Sequence, residues 1–508
     1  MSYDLIVIGS GPAGQKGAIA AAKLGKKVAL VERTSCDLGG VCLHTGTIPS
    51  KTMREAILYL TGFRQRDVYG DQFRHKRHIT MESLQRKLES VTRAEREIID
   101  EQLDRNGIEL FAGEASFVDE HTVEVRRDGR ETRICGEHFL LAPGTKPARP
   151  DHIPFDGRHV FDSDEFLRLD HIPRSMIVVG AGVIGIEYAI MFATLGVRVT
   201  VVDGRERVLD FCDREIIDGL LHHARSLGMT LRLGEEVTSI VRSQSGAVAV
   251  ELESQKRLVA DTVLFSVGRT GDTESLNLPA AGLDVCVRGR IEANEHHQTN
   301  VPHIYAVGDV IGFPALASTA MQQGRRAVCH AFGHTFEAEQ TIPYGLFTIP
   351  EISMIGPSEE TLTANRVPYE VGHANFHEIA RGQIIGDKVG MLKLLFHRET
   401  RKLLSVHIIG DSATELVHIG QAVLAFGGTI DYFCDTVFNY PTLAEAYKVA
   451  AFDGRNRLLV AESFPEALPT ASPDTTGKPG SDLDAVLDEL GPQFTNEARE
   501  VDRSLVKT

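Results

Sequence analysis

The sequence predicts an α/β protein with two Rossmann-like dinucleotide-binding domains and a C-terminal α+β domain. Two observations carry this prediction: a glycine-rich turn that occurs at residues 9–14 and again at 180–185, and a length of 508 residues, which suffices for about three domains. A third strand-and-turn pattern lies far along the chain, at residues 304–309. It predicts that the first domain is discontinuous and is interrupted by the second.

The composition excludes several classes of protein. Hydrophobic residues make up 42% and charged residues 24% of the chain, which is typical of a globular enzyme and excludes disordered, collagenous and coiled-coil proteins. The net charge of −16 argues against a nucleic-acid partner. The seven cysteines are scattered and form no CxxC pair, so we predict neither a disulfide scaffold nor a metal site.

The longest apolar stretch, residues 176–202, does not have the pattern of a membrane span. It contains Glu187 and Arg198, and a charge at the centre of a bilayer costs about 2.5–3.5 kcal/mol. No basic segment or cleavage site for export precedes the first apolar run, at residues 5–8. We therefore expect a cytoplasmic protein with no membrane partner.

The composition changes after residue 460. Residues 461–508 hold 10 acidic and 4 basic side chains among five prolines and many Ser, Thr and Gly residues. This composition predicts an acidic and mostly disordered tail. A solvated extension without function is favoured over a partner-binding peptide.

The two glycine-rich turns match each other along their whole length. Each has a GxGxxG pattern after an apolar run, and each is followed by an acid 23 residues after the first glycine, Glu32 in the first unit and Asp203 in the second. In such a unit the glycines permit a tight turn, the approach of a pyrophosphate and close packing of helix on strand, while the acid accepts a hydrogen bond from a ribose hydroxyl. Two complete units predict two bound dinucleotides. The expected binding residues of the turns are Gly9, Gly11, Pro12, Ala13 and Gly14, and Gly180, Gly182, Val183 and Gly185.

Further motifs surround these turns: GGVC at 39–42, PSK at 49–51, APGT at 142–145, GR at 268–269, and PT at 441–442 followed by Glu445. Together with the turns, they resemble the FAD-dependent pyridine nucleotide–disulfide oxidoreductase family, which includes glutathione reductase and dihydrolipoamide dehydrogenase. The resemblance covers residues 1 to about 460. It implies FAD on the first turn, NAD or NADP on the second, and a C-terminal domain that forms a homodimer or a larger homo-oligomer.

The resemblance also implies boundaries and additional site residues. The FAD-binding domain would comprise 1–150 and 271–340, the NAD(P)-binding domain 151–270 and the dimerisation domain 341–460, before the tail at 461–508. Besides Glu32 and Asp203, which the spacing already indicates, the two nucleotide sites are expected to include Arg33, Gly40, Val41, Cys42, Thr47, Lys51, Gly144, Gly308, Asp309, Glu187, Arg205 and Gly268. Asp309 is expected to face the ribitol of the flavin.

One departure from the family concerns its redox-active Cys-x4-Cys pair. Here that stretch begins at Cys42 and has Thr47 in the second position. A thiolate is the nucleophile in disulfide exchange and a hydroxyl cannot replace it, so electrons on the flavin have no route through this pair to an external disulfide. A pair between Cys36 and Cys42 stays open as an alternative, although Cys42 is favoured as a packed residue beside the flavin.

A second departure lies near the C-terminal motif. The family places a catalytic histidine before Pro-Thr and pairs it with a glutamate; here the two positions hold Tyr440 and Glu445, which stay candidates for catalytic residues. The unperturbed pKa is about 10 for tyrosine and about 6.5 for histidine, so Tyr440 is a poor base for activating a thiol near neutral pH. Loss of both the cysteine and the histidine removes the disulfide half-reaction.

By the resemblance, Lys51 and Glu187 form an ion pair near flavin N5 and act there as catalytic residues. A buried ammonium requires such a partner, and the pair would balance charge as the flavin is reduced. The alternative is that the two are separate surface charges.

The second nucleotide unit contains residues that favour different ligands, NAD and NADP. Asp203 favours NAD because an acid repels a 2′-phosphate, whereas Arg205 and Arg207 follow it closely and arginine is well suited to clamp phosphate. The combination predicts a site that admits both NAD and NADP. The alternative is that both arginines are solvated loop charges.

A flavin that accepts a hydride from one nicotinamide nucleotide and returns it to another performs a transhydrogenase reaction. Thr47, Tyr440, residues 268–271 and residues 344–350 resemble the soluble, Si-specific transhydrogenases of the family. The predicted reaction is NADPH + NAD⁺ = NADP⁺ + NADH, in ping-pong order on the second turn.

Two other functions stay open. The first is a dihydrolipoamide dehydrogenase-like enzyme or another NAD(P)H-dependent disulfide or peroxide reductase that works through Cys42. The second is a flavin-holding sensor or partner-binding protein that uses the acidic tail.

Overall fold

The computed structural model describes residues 1–65, 69–70, 78–242, 246–284, 286–335 and 341–463. The described strands are, in chain order, β1 (Ser2–Ile8), β2 (Val28–Glu32), β3 (Glu109–Ala112), β4 (Glu114–Asp119), β5 (Thr122–Arg127), β6 (Arg130–Leu141), β7 (Thr145–Pro147), β8 (Val160–Asp162), β9 (Ser175–Val179), β10 (Arg198–Asp203), β11 (Thr230–Leu233), β12 (Val237–Arg242), β13 (Val248–Leu252), β14 (Arg257–Ala260), β15 (Thr262–Phe265), β16 (Arg269–Gly271), β17 (Ile304–Ala306), β18 (Tyr344–Leu346), β19 (Glu351–Ile355), β20 (Tyr369–Asn375), β21 (Met391–His397) and β22 (Leu403–Gly410). The described α-helices are α1 (Pro12–Lys23), α2 (Gly40–His44), α3 (Thr47–Thr61), α4 (Met81–Arg105), α5 (Val183–Thr194), α6 (Arg214–Ser226), α7 (Ala317–Ala331), α8 (Glu359–Ala364), α9 (Ala380–Ile385), α10 (Ala413–Ala425), α11 (Asp431–Asp435) and α12 (Glu445–Ser463).

The first sheet combines strands from two distant parts of the chain. Its parallel part runs in the order β3–β2–β1–β6–β17, and β6 continues into an antiparallel meander with β5 and β4. Leu5 and Val7 pack with helices α1 and α7, whereas Ile6 and Ile8 pack with the meander. Both faces of β1 are therefore covered, which explains its unbroken apolar run.

The second sheet is parallel, in the order β11–β10–β9–β15–β8. Val178 and Val201 pack with helices α5 and α6 on one face, and Ile177 and Val202 pack with the antiparallel sheet β12–β13–β14 on the other. The apolar stretch at 176–202 thus belongs to β9, α5 and β10, a strand–helix–strand unit. Within the described residues, no helix combines the length and the apolar character needed to cross a membrane.

A two-stranded ribbon joins the first two sheets. The chain leaves the first sheet through β7 and returns through β16, and the two strands pair antiparallel with Thr145 opposite Gly271 and Pro147 opposite Arg269. Arg269 also stabilises this ribbon, because its guanidinium donates hydrogen bonds to Thr145 O at 2.8 Å and to Asp164 Oδ1 at 2.7 Å. The predicted domain boundaries near this ribbon stay predictions.

The third sheet is antiparallel, in the order β18–β19–β22–β21–β20, and helices α10 and α12 pack on it. Tyr447 on α12 is completely buried, and its hydroxyl donates to Leu416 O on α10 at 2.8 Å. This is the α+β unit predicted for the C-terminal part, so the predicted fold class is confirmed. Apart from the end of α12, the predicted acidic tail lies outside the described residues.

Candidate active site

The three sheets meet around one large cavity of about 1510 Å³. Both glycine-rich turns line it, together with residues 343–345 and Phe347 from the third unit and Thr414, Val417 and His418 from α10. The cavity therefore joins the two predicted nucleotide sites with the C-terminal unit. Among the described residues, no cluster of three or more His, Cys, Asp or Glu side chains has the arrangement of a metal site.

The first turn has the shape that a pyrophosphate requires. Gly9 has φ +98°, and a Cβ placed on it would lie 2.2 Å from Ala142 O. A Cβ on Gly14 would lie 1.9 Å from Gly9 O, so helix and strand are in direct contact there. Around Gly11, in contrast, a Cβ would meet none of the described atoms within 4 Å. Helix α1 begins at Pro12 and directs the N–H groups of its first turn towards this open space.

Glu32 ends β2 beside this turn. Its Oε2 accepts hydrogen bonds from the backbone N–H of Ser10, at 2.9 Å, and from the Ser10 hydroxyl. Its Oε1 accepts a hydrogen bond from Arg33 N at 2.7 Å. The carboxylate is thereby held at the edge of the cavity in the position expected for a ribose-binding acid.

The other residues that the resemblance assigns to FAD line the same cavity. Asp309 is half-buried on its wall: desolvation raises the pKa of this carboxyl, and Arg269 and Thr145 offset the increase only in part. The remaining lining residues of this group are Ala13, Arg33, Gly40, Val41, Cys42, Thr47, Lys51, Gly144 and Gly308. The residues present therefore fit an elongated dinucleotide that carries a polar sugar chain.

Lys51 and Glu187, which both line the cavity, form an ion pair. Lys51 Nζ on α3 lies 2.6 Å from Glu187 Oε2 on α5, and Glu187 Oε1 accepts a hydrogen bond from Phe347 N at 2.8 Å. The Phe347 ring lies below the ammonium, 5.1 Å from it. Glu187 is only 4% exposed, so the pair is a partly buried link between the three units rather than two separate surface charges.

Cys42 faces Thr47 rather than a second cysteine. Burial raises the pKa of the Cys42 thiol, and a hydrogen bond with Thr47 offsets the increase only in part. All seven cysteines lie in the described part of the chain and are free thiols, including Cys36, which is exposed. A raised pKa is the opposite of what a reactive thiolate needs.

The second turn repeats the geometry of the first. Gly180 has φ +104° and a Cβ on Gly185 would lie 1.9 Å from Gly180 O, while a Cβ on Gly182 would meet none of the described atoms within 4 Å. Asp203 accepts a hydrogen bond from Ala181 N, as Glu32 does from the corresponding residue of the first turn. The remaining predicted residues of this unit, Val183, Arg205 and Gly268, also line the cavity.

The two arginines after Asp203 have different partners. Arg205 turns back onto Asp203, with its Nη2 2.9 Å from Oδ2, whereas Arg207 Nη2 lies 3.8 Å from Glu360. Burial alone would raise the pKa of Asp203, but hydrogen bonds from Arg205 and Ala181 hold it below its ordinary value. Of these two arginines, Arg205 is the one that lines the cavity beside the second turn.

Tyr440 and Glu445 are not brought to this cavity by their own chain. Tyr440 is 72% exposed, and neither residue is among the described residues that line the cavity. Glu445 begins α12, and its Oε2 is buried with no hydrogen-bond partner among the described residues.

Two residues of the site were not predicted. Phe347 holds Glu187 through its backbone N–H, and Arg269 joins the Thr145 turn to Asp164. The GR motif at 268–269 is a sequence signal that points to Arg269. Phe347 lies in the segment 344–350 of the resemblance, but its contact with Glu187 could not be predicted from the sequence because it joins positions 160 residues apart.

Two Rossmann-like units that open onto one cavity, with a lysine–glutamate pair between them, define an oxidoreductase that holds two dinucleotides. Comparison with known proteins gives the family. The model for pyridine nucleotide-disulphide oxidoreductases matches residues 3–324, and the model for the dimerisation domain of the same family matches residues 342–451. The chain belongs to the pyridine nucleotide-disulphide oxidoreductase family, whose members bind FAD.

Its relatives in other organisms include proteins named soluble pyridine nucleotide transhydrogenase. The one from Mycobacterium tuberculosis is 53% identical over 465 residues, which is 91% of this chain and 99% of the relative. The one from Chromohalobacter salexigens is 47% identical over 462 residues, with 90% and 99% covered.

Solved structures of related proteins have the same fold. The HOCl-induced flavoprotein disulfide reductase RclA from Escherichia coli superposes with a TM-score of 0.79 at 26% identity, over 89% of this chain and 99% of that one. LpdA from Mycobacterium tuberculosis superposes with a TM-score of 0.81 at 25% identity, over 88% and 99%. The predicted FAD, nicotinamide nucleotides and homo-oligomer agree with this family assignment.

Proposed function

We propose that the protein is an FAD-dependent transhydrogenase of the Si-specific, soluble type, which catalyses NADPH + NAD⁺ = NADP⁺ + NADH. The observation that carries the proposal is the pairing of Cys42 with Thr47 in place of a redox disulfide, while the Lys51–Glu187 pair between the two nucleotide sites is present. The names of the relatives at 44–53% identity point to the same reaction.

FAD, when bound, accepts a hydride from one nicotinamide nucleotide and returns it to the next. The residues of this chain would hold it in place: the N–H groups at the start of α1 would bind the pyrophosphate, the Glu32 carboxylate would accept hydrogen bonds from ribose hydroxyls, and Asp309 would lie at the ribitol. Arg269 keeps the Thr145 turn against the second unit, so that the two sites keep a fixed separation.

Lys51 and Glu187 stabilise the negative charge that develops where the two nucleotides meet. The ammonium of Lys51 stabilises negative charge that develops beside it, and the Glu187 carboxylate holds the ammonium in position at 2.6 Å. The Phe347 N–H fixes the second oxygen of that carboxylate. The ammonium of Lys51 is therefore in position before the reaction begins, and the ion pair does not have to reorganise during hydride transfer.

A single nicotinamide site explains the ping-pong order. The second turn, with Asp203 and Arg205 at its outer edge, is the site that NADPH leaves as NADP before NAD enters. Within one chain, Tyr440 and Glu445 do not line this cavity, so a role for them in hydride transfer requires a second copy of the chain.

We place this activity in the cytoplasm. The seven free cysteines lie in the described residues, and free thiols are the normal state of cysteine in a reducing compartment.

An anaerobic experiment tests the proposed function. NADPH added to the holoenzyme should bleach the flavin absorbance, and a subsequent addition of NAD should restore it and produce NADH. A flavin that stays reduced until a disulfide or oxygen is added would overturn the proposal. For the Si-specific type, deuterium at the 4S position of NADPH should slow the bleaching and deuterium at 4R should not.

A further inference from the structure

The acids of the two nucleotide units have different surroundings. Glu32 is held by Ser10 and by the backbone N–H of Arg33, while the Arg33 side chain points away and pairs with Asp272 at 2.7 Å. Among the described residues, no guanidinium covers the Glu32 carboxylate. The first unit therefore keeps an acid that is open to the hydroxyls of a ribose.

Asp203, in contrast, is covered by Arg205. Its Oδ1 accepts hydrogen bonds from Arg205 N at 2.8 Å and Nε at 3.0 Å, and its Oδ2 accepts from Ala181 N and from Arg205 Nη2 at 2.9 Å. These four bonds use the roughly four acceptor positions of a carboxylate. A ribose hydroxyl can bind Asp203 only after the Arg205 guanidinium has left.

The guanidinium can leave without being buried elsewhere. The side chain of Asp203 is 8% exposed, whereas that of Arg205 is 36% exposed and lies at the edge of the cavity. Glu236 and Glu235, the latter paired with Lys256 at 2.8 Å, line the same cavity. A 2′-phosphate that enters this acidic surrounding needs a cation beside it, and Arg205 is already in place.

We propose that Arg205 is a latch on Asp203, meaning that its guanidinium occupies the carboxylate until a nucleotide displaces it. NAD and NADP displace it in different ways. The inference rests on the proposed transhydrogenase function. With NAD, the ribose 2′-hydroxyl takes the place of the guanidinium on Asp203, and Arg205 turns to solvent. With NADP, the guanidinium exchanges the carboxylate for the 2′-phosphate, which offers bidentate, charge-assisted hydrogen bonds. One site thus accepts both nucleotides because both displace the same side chain.

Binding of two nucleotide fragments to the holoenzyme tests the latch without hydride transfer. The probes are adenosine 2′,5′-bisphosphate, which has the 2′-phosphate, and adenosine 5′-diphosphate, which has the free hydroxyl; calorimetry measures both affinities. In Arg205→Met, the bisphosphate should bind about 10-fold more weakly or worse, whereas the diphosphate should bind more tightly because no latch has to be opened. The matched control is Arg198→Met, an exposed arginine at the other end of β10, which should change neither affinity.

The opposite directions of the two changes are the decisive result. If both affinities fall together, or if neither changes, Arg205 is not a latch. The same conclusion follows if Arg207→Met, and not Arg205→Met, weakens the bisphosphate. If the wild-type holoenzyme binds neither fragment, the nicotinamide site itself is wrongly placed and the proposed function fails with it. If the two affinities change in opposite directions but the holoenzyme exchanges no hydride between NADPH and NAD under anaerobic conditions, the role of Arg205 is supported and only the proposed function is overturned.

Discussion

Lys51 Nζ and Glu187 Oε2 lie 2.6 Å apart, although the two residues are 136 positions apart in the chain and belong to different nucleotide units. Glu187 is also held from the third unit, by the backbone N–H of Phe347. All three parts of the protein therefore fix this one ion pair, in the cavity that both glycine-rich turns line.

The ion pair gives the first prediction. Glu187→Gln keeps the acceptor for the Phe347 N–H but removes the charge that holds Lys51, so reduction of the flavin by NADPH should slow on the order of 100-fold. Anaerobic stopped-flow measures this rate, and the flavin content shows whether the cofactor is retained. Glu82→Gln, an exposed glutamate on α4, serves as the control. A wild-type rate in Glu187→Gln would mean that the pair is only structural.

Cys42 gives the second prediction. Because burial raises the pKa of its thiol and Thr47 stands opposite it, Cys42→Ser should exchange hydride between NADPH and NAD at nearly the wild-type rate. Cys36→Ser should behave in the same way, since the two cysteines are free. A large loss of NADPH–NAD exchange in Cys42→Ser would instead favour a reductase that works through this thiol.

A buried lysine between the second and third units gives the third prediction. Lys393 is 1% exposed, and its ammonium lies 3.1 Å from Asp213 Oδ1, 3.0 Å from Glu215 Oε2 and also against Glu359. Lys393→Met leaves the completely buried Asp213 carboxylate without its ammonium, while Glu215 keeps His373 at 3.0 Å, so the free energy of unfolding should fall by about 3–5 kcal/mol. Urea denaturation measures it.

The double variant Lys393→Met/Asp213→Asn is the matched control for this cluster. It removes one of the uncompensated charges, and asparagine can keep the N-cap bond that Asp213 makes to Glu215 N. The double variant should therefore be more stable than Lys393→Met alone. The reverse order of stability would show that the charges of the cluster do not decide its contribution.

His297 gives a prediction about pH. Burial, with the nearby charges of Arg326 and His296, lowers its pKa from 6.5 to about 4. Between these two values the unfolded chain binds more protons than the folded one, so stability is complete above about pH 6.5 and falls as the pH is lowered towards 4. From pH 7.5 to 5.0 this residue alone should cost about 2 kcal/mol.

The variant His297→Asn isolates that contribution. His297 has φ +63°, a conformation that asparagine tolerates better than most residues. Urea denaturation at the two pH values should show a smaller loss in the variant than in the wild type, by about the same 2 kcal/mol. His377→Asn, at an exposed histidine, should lose as much as the wild type. An equal loss in His297→Asn would mean that His297 does not titrate in this range.

Several features of the fold could be predicted because they are local patterns. The two GxGxxG turns, each with an acid 23 residues on, mark two strand–helix–strand units wherever the rest of the chain lies. The unbroken apolar run of β1 follows from burial on both faces. The pairing of β17 with β6 agrees with the predicted strand at 304–309, because a short apolar strand followed by a turn can add to an existing sheet edge.

The sequence by itself determined which chemical groups this protein has: two nucleotide turns, Lys51 and Glu187, a threonine at position 47 and a tyrosine at position 440. Only the tertiary structure decided which partner each group has. Arg33 and Arg205 follow corresponding acids, yet Arg33 reaches Asp272, 239 positions away, while Arg205 folds back onto Asp203. The reason is physical: residue types and spacing set local backbone shape, whereas a long side chain pairs with whichever charge the folded chain places within reach.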